Sequence, residues 1–427
     1  MDMQEVIELV NTNRGTGKKE SLNRMKRLVE LIGNPQKDLK FIHIAGTNGK
    51  GSTSAFMEAI LRTSAIKTGL YTSPHLVRLN ERIRIDGREI TDAELIETTE
   101  TVREAVEQVE EELNERLYAF EILTAVAFLY FQKQGTELVI LETGVGGRLD
   151  ATNVIDESEV SIITAIGMDH MKVLGETLEK IAQEKAGIVK PNGALVTYPQ
   201  NEAIEKIFEV RCREQAADWT AVKRQDVRIT ASSIEGQRFE HKGMGDFAIR
   251  MMGEHQVYNA VTAMEAAWKL QEKEWPIKDA HIKEGLEKAF WPGRMEKVAV
   301  EPLVILDGAH NQQGVEMLEK NLKTLFPGKK LNFLVGMMQD KAYRKMIRLM
   351  EPMADRFFLL APNSERALDA QTLKEKLAEE GIDAQAFAAP QEAAEYIRHN
   401  LAKEEIVVVF GSLYLVGDMK QAFEETE

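Results

Sequence analysis

Residues 41–57 read Phe41-Ile42-His43-Ile44-Ala45, then Gly46-Thr47-Asn48-Gly49-Lys50-Gly51-Ser52-Thr53, then Ser54-Ala55-Phe56-Met57. A five-residue apolar run, a glycine-rich turn and an apolar helical stretch follow one another without a gap. Strand, glycine turn and helix in that order form a cradle for phosphate. Glycines let backbone N–H groups face an oxyanion, and the first turn of the helix adds its dipole. Lys50 would reach terminal phosphates, and a hydroxyl of Ser52 or Thr53 would meet a divalent cation. The spacing departs from the usual phosphate loop. The glycine expected five positions before the Gly-Lys pair is Ile44, and Gly51 intervenes between Lys50 and Ser52. The bland alternative is a glycine turn that only caps a helix.

Outward from this stretch, short apolar runs alternate with long helical ones. Strands are expected at 41–45, 68–72, 138–142, 160–166 and 194–198, rich in Val, Ile and Leu as in parallel strands buried on both faces. Residues 92–117 read as an amphipathic helix with an acidic, solvated face. Residues 81–90 alternate about Asp86-Gly87, a hairpin signal. A second series follows at 303–306, 331–335, 356–360, 383–387 and 405–410, and Pro292-Gly293 breaks the pattern between the two. The expected fold class is α/β, with a phosphate-loop ATPase domain over 1–296 and a smaller Rossmann-like domain over 297–427.

Composition narrows the function. With 54 Lys plus Arg against 69 Asp plus Glu, the net charge of −15 leaves no basic face for nucleic acid. A single cysteine, Cys212, excludes an internal disulfide and a multi-cysteine metal site. The N-terminal MDMQEVIELV reads as a helix rather than a signal peptide. Apolar runs such as 124–131 fall short of a membrane span. The expectation is a soluble cytoplasmic protein, a monomer without nucleic acid or membrane partners.

Candidate chemistry collects at strand ends, where doubly wound sheets bind ligands. Glu142 ends an apolar run and suits Mg²⁺, which takes carboxylate, phosphate and water oxygens; a capping carboxylate is the alternative. His170 follows another run, where a lone histidine is more often structural. Lys185 sits in the helical stretch 176–189, which would ordinarily expose it. His255 and Asn259 are i, i+4 neighbours; Asn259 could pair with adenine or be a surface amide. Arg294 stands at the break between the series, where a guanidinium could clamp triphosphate oxygens. Lys18, Lys19, Arg24, Lys26 and Arg27 form a basic run that could meet an anionic tail but fits a solvated helix face better.

Gly46-Thr47-Asn48-Gly49-Lys50-Gly51-Ser52 resembles the loop of the Mur ligase superfamily, and within it the folylpolyglutamate and dihydrofolate synthases. Further matches follow in order: Ser73-Pro74-His75-Leu76, Phe120-Glu121-Ile122-Leu123-Thr124, and the run Glu142 to Asn153 (ETGVGGRLDATN). Next come Asp169-His170 with Leu174-Gly175, Ala182 to Ile188 (AQEKAGI), His255 with Asn259, Pro292-Gly293-Arg294, Asp307 to Asn311 (DGAHN) and Gly411-Ser412. Gln312 departs from the pattern, which has proline there.

The resemblance implies ATP-dependent addition of L-glutamate to the γ-carboxylate of a folate through an acyl phosphate, with dihydropteroate as an alternative acceptor. It implies ATP contacts from Thr47, Asn48, Gly49, Lys50, Gly51, Ser52, Asn259, Arg294 and Asp307. Two Mg²⁺ ions would draw on Ser52, Ser73, Glu142, His170 and a carbamate carried by Lys185. The folate or glutamate would meet Ser73, His75, Arg82 and His310, and Lys50, Lys185 and His310 would serve the reaction itself. A Mur-type peptidoglycan ligase is the rival within the class, disfavoured by residues 72–76 and 142–153. A regulatory ATPase that makes no bond, or a binding module with a vestigial site, is the rival outside it.

Overall fold

The computed structural model describes residues 1–10, 21–339 and 343–425. Two compact units make up the chain. The first comprises Met1–Arg228, Phe239–Ile249 and Gln256–Ala289, and the second Ile229–Arg238, Arg250–His255 and Phe290–Glu427.

The first unit is built on eight strands: β1 (Phe41–Ala45), β2 (Thr68–Tyr71), β3 (Ile83–Ile85), β4 (Arg88–Glu89), β5 (Leu138–Glu142), β6 (Val160–Ile163), β7 (Ala194–Thr197) and β8 (Asp218–Ala221). Their order across the sheet is β4-β3-β2-β5-β1-β6-β7-β8. The run β2-β5-β1-β6-β7-β8 is parallel, and β3 and β4 add an antiparallel edge. β1 lies at the centre and is buried at every position, which is why its sequence is nearly all apolar. Asp86 and Gly87 turn the β3–β4 hairpin at φ 50° and 79°, the mirror-image turn that this residue pair favours.

The helix Ala119–Lys133 is buried over most of its surface, with Phe128 edge-on to Phe41 of β1 at 5.6 Å. The acidic helix runs Asp92–Leu113, four residues shorter than its pattern predicted. Asn114 adopts a left-handed φ of 50° and ends it, while the buried Leu117 that prolonged the pattern lies in the irregular segment that follows.

A three-stranded sheet of order β11-β10-β9 is formed by β9 (Val227–Ser233), β10 (Gly236–His241) and β11 (Met244–Ile249). These strands and β8 were not expected. β9 is partly to fully exposed along its whole length and carries no run of apolar residues to announce it.

The second unit holds β12 (Glu296–Val300), β13 (Leu303–Leu306), β14 (Leu331–Val335), β15 (Ala354–Leu359), β16 (Ala384–Ala386) and β17 (Ile406–Phe410), in the order β12-β13-β17-β14-β15-β16. All neighbours are parallel except the edge pair β12–β13. Its core packs Phe333 and Phe410 with Leu318, Leu322, Met346 and Ile347 from the flanking helices. Among the described residues no helix is long and apolar enough to cross a membrane.

Candidate active site

In the first unit, the turn after β1 leads into the helix Lys50–Thr63, whose N-cap Gly49 has a left-handed φ of 91°. A side chain there would also collide with Asn259, whose Oδ1 lies 2.6 Å from the position a Cβ would take. Only glycine fits both constraints. Thr47 and Asn48 donate their backbone N–H to the carbonyl of Ala165 at 2.9 and 3.2 Å. The Thr47 hydroxyl donates to the carbonyl of Gly167 at 3.0 Å. The loop is thereby tied to the segment that follows β6.

Two lysines converge on one backbone oxygen. Lys50 Nζ donates to the Gly46 carbonyl at 3.3 Å, and Lys185 Nζ donates to the same oxygen at 2.6 Å. Lys50 also lies 3.7 Å from Glu142 Oε1, at the carboxyl end of β5. Lys185 comes from the helix Leu178–Ala186 and is buried, with 4% of its surface exposed. Burial first, and the Lys50 charge second, bring its amine down to about 7 against the pull of Asp169, Asp150 and Glu142. A neutral amine is therefore accessible at neutral pH.

The strand-end signature explains how Lys185 is held. Arg148 donates its backbone N–H to the Glu184 carbonyl at 2.8 Å, and Asn153 Nδ2 donates to the Gly187 carbonyl at 3.1 Å. Gly187 makes this possible, since a Cβ there would stand 2.4 Å from Arg148 Cα. Residues 142–153 and 182–188, far apart in sequence, are two halves of one packed joint.

Asn259 is buried and donates from Nδ2 to Gln256 at 3.0 Å, while its Oδ1 has no partner among the described residues. An orphaned buried acceptor beside the phosphate-loop turn matches a ligand that brings its own N–H, such as adenine. Ser52 is buried at the start of the loop helix. Among the described residues no group of three or more His, Cys, Asp or Glu is gathered as a metal site. The donor chemistry still suits Mg²⁺, which takes one or two carboxylates and completes its shell with phosphate and water oxygens. Glu142 offers a buried carboxylate and Ser52 a buried hydroxyl of the kind such a shell takes.

His170 and Ser73 are the other expected ligands. His170 is exposed, at a left-handed φ of 47°, with Nε2 4.0 Å from Asp169. Asp169 and Asp150 act on Lys185 electrostatically, and neither was singled out from the sequence. Ser73 and His75 lie beyond β2, where Arg82 Nε donates to His75 Nδ1 at 2.9 Å. Burial first, and the Arg82 charge second, bring the imidazole down to about 4, so it is neutral at physiological pH. Lys18 and Lys19 lie outside the described residues. Of the same basic run, Arg24 bonds Glu115 at 2.9 Å and Arg27 bonds Glu112 at 2.8 Å, which pairs them with acids at and just beyond the end of the acidic helix.

In the second unit, Asp307 follows β13 and is buried, accepting from the backbone N–H of Met295 at 3.0 Å and of Ala309 at 2.9 Å. Burial raises its proton affinity and the nearby Arg294 opposes this. Arg294 lies across Gly308, where a Cβ would stand 2.0 Å from Nη1. His310 donates from Nδ1 to the Gly308 carbonyl at 2.8 Å. His255, at the start of the helix Glu254–Glu272, belongs to this unit, whereas Asn259 of the same helix belongs to the first. Burial and the Arg294 charge lower His255 to about 4.

Residues 44–267 match the model of the Mur ligase middle domain, and residues 293–413 that of the Mur ligase glutamate ligase domain. The chain is 36% identical over 413 residues to the dihydrofolate synthase/folylpolyglutamate synthase of Bacillus subtilis (strain 168), covering 95% of each chain. The chain belongs to the folylpolyglutamate and dihydrofolate synthases of the Mur ligase family. Solved members of the family share its whole fold. The folylpolyglutamate synthase of Thermotoga maritima superposes with a TM-score of 0.87 at 31% identity, over 99% of this chain and 97% of that one. That of Mycobacterium tuberculosis, solved with ADP and AMPPCP, gives 0.86 at 28% identity over 99% and 98%. The two α/β units, each on its own sheet, follow that family's architecture.

Proposed function

We propose that this chain is an ATP-dependent ligase that joins L-glutamate to the γ-carboxylate of a folate, and that dihydropteroate is a second acceptor. The observation that carries the reading is the convergence of Lys50 and Lys185 on the Gly46 carbonyl beside Glu142, in a chain of this family. The γ-phosphoryl group of ATP passes to a carboxylate oxygen of the acceptor, giving an acyl phosphate and ADP. The glutamate amine attacks the acyl carbon, loses a proton, and phosphate departs as the amide forms. No enzyme nucleophile is required, in keeping with a single buried cysteine, Cys212, that lies outside every motif in the sequence.

The protein contributes charge and position. Lys50 and the N–H groups of Gly49 to Ser52 are assigned to the phosphates, with Thr47 and Asn48 completing the ATP loop whose backbone is tied to Ala165, Asn259 to adenine, and Arg294 and Asp307 to ATP from the second unit. Ser73, His75 and Arg82 are assigned to the acceptor, and His310 to the glutamate end. Mg²⁺, when bound, neutralises phosphoryl oxygens; Glu142, Ser52, Ser73 and His170 are the residues proposed to hold it, as two ions. Lys185 is proposed to carry a carbamate. Its neutral amine adds to CO₂ and releases a proton, turning a cationic donor into an anionic oxygen ligand. The depressed proton affinity of Lys185 supports this, because only the neutral amine reacts.

The test is ADP release with ATP and Mg²⁺ over dihydropteroate, a tetrahydrofolate and a folate diglutamate, each with and without L-glutamate. Release that requires both an acceptor and glutamate is expected. Release that ignores glutamate would turn the reading toward an ATPase that forms no bond.

A further inference from the structure

His43 stands in the middle of β1 within an otherwise apolar strand and is fully buried. Nothing in the ligase chemistry uses it. Its Nε2 lies 2.8 Å from the Thr152 hydroxyl, and its Nδ1 has no partner among the described residues. The Thr152 hydroxyl is in turn 2.6 Å from Asp150 Oδ1. Asp150 is otherwise used entirely as an acceptor. Its Oδ1 takes the Thr152 N–H at 3.1 Å, and its Oδ2 takes the N–H groups of Gly144 and Val145 at 3.0 and 2.9 Å.

These bonds have only one consistent direction. A threonine hydroxyl has a single hydrogen, and the short contact to an oxygen that accepts everywhere else claims it. Thr152 must then accept from His43, so the imidazole carries its hydrogen on Nε2 and is neutral. Burial and the Lys190 charge hold its proton affinity well below the ordinary value, which agrees. The result is a one-way chain of donors from His43 through Thr152 to Asp150, whose other oxygen accepts from the backbone N–H groups of Gly144 and Val145.

The backbone of Thr143 is already fixed, donating to the Ile44 carbonyl of β1 at 2.9 Å. Asp150 supplies the second hold on the turn. Glu142 therefore leaves its strand into a turn gripped at 143 from β1 and at 144–145 from Asp150. We propose that His43 is a positioning residue which, through Thr152 and Asp150, sets the turn that aims the Glu142 carboxylate. The inference deepens the ligase reading and rests on Glu142 being the cation-binding carboxylate. A buried histidine with one idle nitrogen is otherwise an expensive choice for a central strand, where an apolar residue would serve packing alone.

The test uses the full chain and two measurements. The first is hydrogen exchange of the metal-free protein, read by mass spectrometry on peptides spanning 142–150. Thr152→Val keeps the shape and deletes the relay, so those amides should exchange about tenfold faster. His43→Leu should do the same. Thr152→Ser and His43→Gln, whose Nε2 amide can donate from a similar position, should stay near wild type. The second is the Mg²⁺ concentration for half-maximal ATP binding. It should rise about tenfold in the first pair only, the usual scale for loss of an outer partner of a metal ligand.

Wild-type exchange in folded Thr152→Val overturns the proposal, as does equal harm from Thr152→Ser. If the apolar variants do not fold, His43→Asn decides: its shorter amide cannot reach Thr152, and unchanged exchange would overturn the relay. Exchange needs no substrate. Accelerated exchange together with ADP release that ignores folate would leave the relay standing and remove the ligase reading instead.

Discussion

Lys185→Met separates the stability of the site from its chemistry. The methionine keeps an unbranched apolar stem and removes the amine. In wild type that amine falls from 10.5 to about 7 because it is buried next to Lys50. A displacement of that size disfavours the charged form by about 5 kcal/mol. The sign follows from proton counting. Between the two values the unfolded chain holds a proton on Lys185 that the folded chain has shed, so folding stability rises with pH across that window. From about pH 6.5 to about pH 8.5 this one group should add about 2 kcal/mol to wild type and nothing to the variant. In metal-free, CO₂-free buffer the variant should therefore be the more stable protein, with the gap closing by about 2 kcal/mol as pH rises over that range. Urea unfolding followed by tryptophan fluorescence reads this directly, since Trp219, Trp268 and Trp275 belong to the first unit and only Trp291 to the second. Turnover should be lost at every pH despite the gain in stability; in Lys185→Ala, which leaves room at the site, a small carboxylic acid should restore part of it by supplying the missing oxygens. A gap that stays constant with pH would show that Lys185 is not held in a proton-poor state. A variant that retained wild-type turnover would remove it from the reaction.

Lys50→Ala should abolish ADP release while changing unfolding by no more than about 1 kcal/mol, because the lysine faces a loop carbonyl and a carboxylate rather than the core; near-normal turnover would sink the phosphate-loop assignment. Glu142→Gln should raise the Mg²⁺ concentration needed for half-maximal turnover and lower the rate, with His170→Ala acting in the same direction; wild-type Mg²⁺ dependence in both would refute the cation site. Gly187→Ala should cost about 2 kcal/mol or more in thermal unfolding, since its Cβ would stand 2.4 Å from Arg148 Cα. Because the clash lies in the joint that carries Lys185, turnover should fall as well, and an unchanged melting temperature would refute the close packing.

Much of the fold and part of the site could be read before any coordinates. The apolar runs that became β1, β5, β13, β14 and β17 are strands because a parallel strand covered on both faces must be apolar throughout, and composition records that directly. The glycine turn after β1, the Asp86-Gly87 hairpin and Glu142 at a strand end were legible for similarly local reasons. The strands β8 to β12 were not, because exposed or edge strands carry mixed residues and draw their pairing from neighbours. Helix termination at Leu113 depended on one left-handed asparagine, which a periodic pattern runs past.

At the site, the sequence alone determined which chemical groups were available: a phosphate loop, strand-end carboxylates, and a lysine in an ordinary-looking helix. Periodicity would have left Lys185 in solvent, and only the likeness of its motif to a known family singled it out. Tertiary structure decided what that lysine is. Its partner Gly46 is 139 residues away, and Asp150 and Asp169 reach its surroundings from two further segments. The same holds for His43, whose partner Thr152 is 109 residues distant. Hydrophobic period records whether a position is buried, since burial acts residue by residue. Proton affinity and hydrogen-bond direction depend on which charges and donors stand a few ångströms away, and only the closed chain determines that.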